Sequence, residues 1–104
     1  MLHSYFKTLY KRTMEASYAL AYKEIANALI DGGQCLDCGA GAGHSFDRIS
    51  KLIDFDKSLY HGLEWKYADV QQAQIRHLDV IQSDLNKRLP FDNGQFRCVF
   101  GLSV

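Results

Sequence analysis

Residues 35–44 read Cys-Leu-Asp-Cys-Gly-Ala-Gly-Ala-Gly-His, a short apolar run that meets three glycines at alternating positions. No other stretch limits the fold as much. The run suits a buried strand. Glycine lacks a Cβ, so the chain after that strand can take φ > 0 and let a ligand approach the backbone. A tight glycine turn that opens a helix also aims N–H groups outward, where an anionic or polar ligand end can sit. The feature predicts strand, turn and helix in that order, with a nucleotide-like ligand at the turn.

The flanking segments extend this alternation. Tyr18, Tyr22, Ile25 and Leu29 recur at helical spacing, with Lys23, Glu24 and Asn27 on the wet face. Gly32-Gly33 ends that helix. Earlier, Tyr5, Phe6, Leu9 and Tyr10 interleave with Lys7, Lys11 and Arg12 and predict a shorter helix. Strands are expected over 34–38, 59–64, 80–83 and 96–102. Helices are expected over about 43–52, with Phe46, Ile49 and Leu52 or Ile53 inward, and about 68–76. Pro90 to Gln95 is a turn by composition. Strands that alternate with helices argue for parallel pairing through right-handed crossovers.

Composition narrows the function classes. The 104 residues suit one domain at most, and 47% are hydrophobic, enough for a core. Lys+Arg and Asp+Glu are equal at 12 each, so nothing indicates bulk attraction to nucleic acid or anionic lipid. No apolar run reaches membrane-spanning length, and the N-terminus lacks a secretory h-region. An odd count of three cysteines does not suggest a disulfide framework, and the expected setting is reduced and cytoplasmic. Cys35 and Cys38, three apart in a strand, point to opposite faces, which argues against a shared metal or redox role.

In open parallel sheets, ligands bind outside the carboxyl ends of the strands. Those ends carry the 39–43 loop, Glu64 and Asp84. An acid at the end of the second strand can accept from both hydroxyls of a ribose. Asp84 could accept from an exocyclic amine, and Trp65 offers a flat face for a purine, although core packing is an equal expectation for it. The dinucleotide fingerprint is G-x-G-x-x-G, whereas this chain has G-x-G-x-G with His44 at the sixth position. That spacing opposes a nicotinamide oxidoreductase. Asp37 under the loop disfavours a pyrophosphate and suits a cationic ligand such as a sulfonium with an amino group.

With these residues in view, the chain resembles the class I S-adenosylmethionine-dependent methyltransferases. Asp37-Cys38-Gly39-Ala40-Gly41-Ala42-Gly43 resembles their first motif, D-x-G-x-G-x-G. Gly62-Leu63-Glu64 is similar to their second-strand signature. Gln82-Ser83-Asp84-Leu85, followed by Leu89-Pro90-Phe91, is similar to their adenine-reading segment. Phe96-Arg97-Cys98-Val99 resembles the fourth strand, with Arg97 where aspartate is common. The resemblance covers about residues 30 to 104 and implies a Rossmann-like α/β fold, a parallel sheet ordered 3-2-1-4 preceded by N-terminal helices. Residues 1–31 form a helical cap on this reading, and residues 32–104 a partial S-adenosylmethionine-binding domain.

The resemblance also implies roles. Gly39, Ala40, Gly41 and Gly43 would shape the loop under the methionine part, and Asp37 would orient that loop and help neutralise the amino group. Glu64 would hold the ribose hydroxyls and Trp65 would pack on the adenine. Asp84 and the backbone N–H of Leu85 would read the amine edge. Tyr10 and Tyr18 would form a lid. The implied function is methyl transfer from S-adenosylmethionine to an unidentified small molecule, with S-adenosylhomocysteine as product. No catalytic residue and no metal are implied. The family sheet has seven strands, and this chain ends at Val104, about the fourth. A second expectation follows, a truncated, non-catalytic nucleoside-binding fragment that pairs through its open fourth-strand edge with a partner or with itself.

Overall fold

The computed structural model describes residues 15–84 and 94–102, the first three of these by backbone alone. The expected helix around Tyr5–Arg12, the Tyr10 lid, Leu85 and the Leu89-Pro90-Phe91 segment lie outside the described residues.

Helix α1 spans Glu15–Leu29 and buries Ala21, Tyr22, Ile25 and Leu29, the spacing of one helical stripe. Gly32 closes it by donating to the Leu29 carbonyl at 2.9 Å. Strand β1, Cys35–Cys38, leads through the glycine loop into helix α2, His44–Ser50. A 3-10 turn over Lys57–Leu59 precedes strand β2, Tyr60–Glu64. Helix α3, Tyr67–Ile75, and strands β3, Asp79–Gln82, and β4, Cys98–Phe100, complete the described chain. All strand pairs are parallel, and the order is β3-β2-β1-β4. The expected α/β class and strand order are therefore observed. β1, β2 and β4 are shorter than the apolar runs suggested, with Phe96 and Leu102 outside the β1–β4 ladder, and β3 keeps its expected length but starts one residue earlier.

Alternation along the strands divides the sheet into two faces. Cys35, Tyr60, Val80, Cys98 and Phe100 share one core with the apolar stripe of α1 and with Phe46, Ile49, Val70 and Ala73 of α2 and α3. Residues 15–29 thus form a layer of the same packed unit as the sheet. Phe46 stands edge-on to Tyr60 with ring centroids 5.6 Å apart. The inward stripe of α2 is completed by half-buried Ile53, while Leu52 is exposed.

The three cysteines are free. Cys35 faces this core and Cys38 the other side of β1, as their spacing requires. Burial pushes the Cys38 and Cys98 thiols up to about 11, so both stay protonated and behave as small apolar groups. No helix among the described residues is long and apolar enough to cross a membrane.

At the opposite edge of the sheet from the glycine loop, His61 bridges three segments. Its Nδ1 lies 2.5 Å from Asp79 Oδ2 and its Nε2 2.6 Å from Gln34 Oε1. Strand register brings the first pair together, since His61 and Asp79 are directly opposite across β2 and β3.

Candidate functional site

Because every strand runs the same way, the carboxyl ends of β1, β2 and β3 gather on one edge. The chain leaves β1 through Gly39, Ala40, Gly41, Ala42 and Gly43, and all three glycines have positive φ, of 80°, 57° and 94°. This left-handed geometry strains any L side chain. Gly39 and Ala40 both donate their N–H to the Leu63 carbonyl, at 2.8 and 2.9 Å, which folds the loop over the end of β2.

The two alanines between the glycines differ. Ala40 is buried, and its Cβ lies over Gly62: a Cβ built at Gly62 would sit 2.6 Å from it. Gly62 is therefore glycine because the loop lies against the strand there. Ala42 is half-buried, and its carbonyl accepts from Arg76 Nη1 at 3.0 Å. The Arg76 Nη2 also pairs with Asp47 of α2. No sequence motif pointed to Arg76, whose partners are 34 and 29 residues away.

Glu64 ends β2 with only 8% of its surface exposed. Its Oε1 accepts from Gly41 N at 2.8 Å, and its Oε2 accepts from Lys66 N at 2.9 Å. One carboxylate thus joins the glycine loop to the start of α3. A carboxylate has about four acceptor positions, so two remain for hydroxyl donors. The expected neighbourhood of Glu64 and the glycine loop is present.

The end of β3 is tied in by backbone bonds, with Ser83 N on the Glu64 carbonyl at 3.0 Å and Gln82 Nε2 on the Trp65 carbonyl at 2.9 Å. Asp84 is exposed and follows directly. Trp65 is 69% exposed, so it is not core, and it follows Glu64 directly. Tyr18, expected in a lid, donates from its hydroxyl to the Leu102 carbonyl at 3.3 Å. His44 is an exposed first-turn residue of α2.

Asp37, expected to orient the loop and help neutralise a ligand's amino group, lies in β1 two residues before Gly39. It is 2% exposed, and its Oδ2 accepts from the Tyr60 hydroxyl at 2.6 Å inside the core. Burial pushes its carboxyl up to about 6, the neighbouring charge of Glu64 acts the same way, and hydrogen bonds from Tyr60 and Ser45 oppose both. So buried, the side chain does not line the open edge. Among the described residues there is no group of three or more metal-ligating side chains.

A fold of this kind can be compared directly with known proteins. No family model matches the chain, and no curated protein does. Solved structures do match. One is a putative S-adenosylmethionine-dependent methyltransferase from Methanococcus maripaludis, with TM-score 0.59 and 17% identity over 92% of this chain and 42% of that one. A second is CalS10 with bound S-adenosylmethionine, an amino pentose methyltransferase from Micromonospora echinaspora. Its TM-score is 0.59 and its identity 21%, over 99% of this chain and 42% of that one. A third is a putative methyltransferase in complex with the Haloferax volcanii Trm112 activator, with TM-score 0.59 and 22% identity over 77% and 37%. The fold is shared with the matching part of these methyltransferase structures. The chain spans about two fifths of the length of the structures it matches.

Proposed function

We propose that this chain is the S-adenosylmethionine-binding part of a methyltransferase that acts on a small molecule. The observation that carries the reading is the Glu64 carboxylate, which closes the second strand and is held by the amide of Gly41 at 2.8 Å. The residues present fit such a ligand on two counts. Glu64 retains two acceptor positions at the loop. A Cβ built at Gly41 meets no described atom within 4 Å, so the backbone there faces open space that a ligand could fill.

When bound, the cofactor would supply a methyl group activated on a sulfonium. The chain's own residues bind and orient. On this reading Glu64 holds the ribose hydroxyls, the exposed face of Trp65 stacks on the purine, and Asp84 with Leu85 meets its amine edge. Gly39, Ala40, Gly41 and Gly43 provide the surface under the amino-acid end. Orientation of the acceptor can lower the barrier by on the order of 7–11 kcal/mol, and no general base is assigned. The acceptor and any protein partner would be met by surface beyond the described site. Free cysteines suit a reducing, cytoplasmic compartment.

Binding without turnover is the second reading. It is favoured by β4, which lies at an edge of the sheet among the described residues, where a strand from another segment or a second copy can pair. Calorimetry with S-adenosylhomocysteine tests the cofactor. Binding is expected, with Glu64→Ala weakening it at least about tenfold through loss of charge-assisted bonds. Equal affinity in that variant removes Glu64 from the site. Methylation of any acceptor by monomeric protein removes the second reading.

A further inference from the structure

Helix α3 ends in a turn that brings two side chains against the glycine loop. His77 donates its N–H to the Gln74 carbonyl at 2.9 Å, and Leu78 donates to the Ala73 carbonyl at 3.0 Å. That pair of bonds is a Schellman motif, whose pivot residue is left-handed and most often glycine. The pivot here is His77, with φ of 63°. Leu78, on one side of it, occupies the place that a Cβ at Gly43 would need. Arg76, on the other side, donates from Nη1 to the Ala42 carbonyl at 3.0 Å, and its Nη2 pairs with Asp47 in the first turn of α2. The Arg76 carbonyl in turn accepts from Lys57 Nζ at 2.8 Å.

One guanidinium therefore joins the end of α3, the second half of the loop and the start of α2. The first half of the loop is held from β2, through the Leu63 carbonyl and the Glu64 carboxylate. The second half is held differently. Gly43 donates to the Ala40 carbonyl at 3.0 Å, a bond within the loop, and as N-cap of α2 it offers no capping side chain. Glycine leaves such a backbone many conformations, so contacts from outside the loop decide which one it keeps. A planar guanidinium can hold two acceptors in fixed relation, which an ammonium cannot. The ion pair alone explains little, because the Arg76 and Asp47 side chains are 34% and 44% exposed and exposed pairs add little stability. The bond to the loop carbonyl is what distinguishes this arginine from a surface pair.

We propose that Arg76 is a positioning residue for the glycine loop, holding the Ala42 carbonyl against α3 and Asp47 so that the loop keeps one shape before a ligand arrives. Preorganisation of that kind raises affinity by lowering the ordering cost of binding. Its consequence for cofactor affinity rests on the reading of the loop given above.

The test begins on ligand-free protein, with amide hydrogen exchange followed by NMR. In Arg76→Gln the Gly43 amide should exchange about tenfold faster than in the parent. The amides of Gly39 and Ala40, held by Leu63, should keep their rates. An unmoved Gly43 amide overturns the proposal, and so does equal acceleration of all three, which would make Arg76 a general stabiliser. Asp47→Asn removes the second anchor and should accelerate Gly43 in the same selective way. It decides the point by the same criteria if Arg76→Gln does not fold. Calorimetry with S-adenosylhomocysteine supplies the functional arm. Arg76→Gln should weaken binding about tenfold, and Arg76→Lys should recover only part of the loss. The double variant Arg76→Gln/Asp47→Asn should bind no more weakly than Arg76→Gln alone. Parent-like affinity in Arg76→Gln, or full additivity in the double variant, overturns the proposal. If the parent binds no S-adenosylhomocysteine, the cofactor reading fails, and the exchange rates still decide whether Arg76 positions the loop.

Discussion

Asp37 carries a carboxyl that burial has pushed up to about 6 from an ordinary value of 3.8. Above pH 6 it is charged in folded and unfolded chains alike, and the folded chain bears the cost of burying that charge. Below pH 3.8 it is neutral in both. Between these limits the folded chain holds the proton more tightly, so this group's contribution to stability falls as pH rises through the window. Asp37→Asn should therefore raise the unfolding free energy by roughly 1–3 kcal/mol near neutral pH. The gain should vanish toward about pH 4, and urea melts across pH would show it. Trp65 makes the opposite prediction. It is the sole tryptophan and 69% exposed. Trp65→Ala should change stability by less than about 0.5 kcal/mol. In the parent, tryptophan fluorescence should change on titration with S-adenosylhomocysteine.

At the scale of elements, the glycine loop separates stability from binding. A Cβ at Gly43, where φ is 94°, would meet Leu78 Cδ1 at 2.4 Å inside the core. Gly43→Ala should destabilise by about 1–3 kcal/mol, combining backbone strain with displaced packing. A Cβ at Gly41 meets open space and adds mainly the strain of its φ of 57°, so Gly41→Ala should cost about 1 kcal/mol. Denaturant unfolding of the two variants checks the order, and a costlier Gly41→Ala would contradict this loop geometry. The loop, its strand and its helix were legible because glycine spacing and apolar runs are local signals. Glu64 was legible for the same reason, as the acid that ends an apolar strand. The partners of Asp37 were not. Tyr60 lies 23 residues away and reaches it only because β1 and β2 pair in parallel, with Cys35 opposite Tyr60. An acid before a glycine turn looks the same in sequence whether it faces a ligand or the core.

At the largest scale, the described residues form one helix-covered sheet whose glycine-loop edge and opposite edge are chemically distinct. The β3-β2-β1-β4 order followed from strands alternating with helices together with the resemblance of four motifs. Two strand crossovers place the ends of β1, β2 and β3 side by side. The far edge holds the His61, Asp79 and Gln34 cluster instead. That contrast allows a single measurement to locate the site. Backbone amide NMR shifts on addition of S-adenosylhomocysteine should concentrate on residues 39–43, 64–66 and 83–84. Those near Gln34, His61 and Asp79 should stay in place. The absence of any shift, or shifts centred on the His61 edge, would contradict the assignment of the glycine loop and Glu64 as the cofactor site.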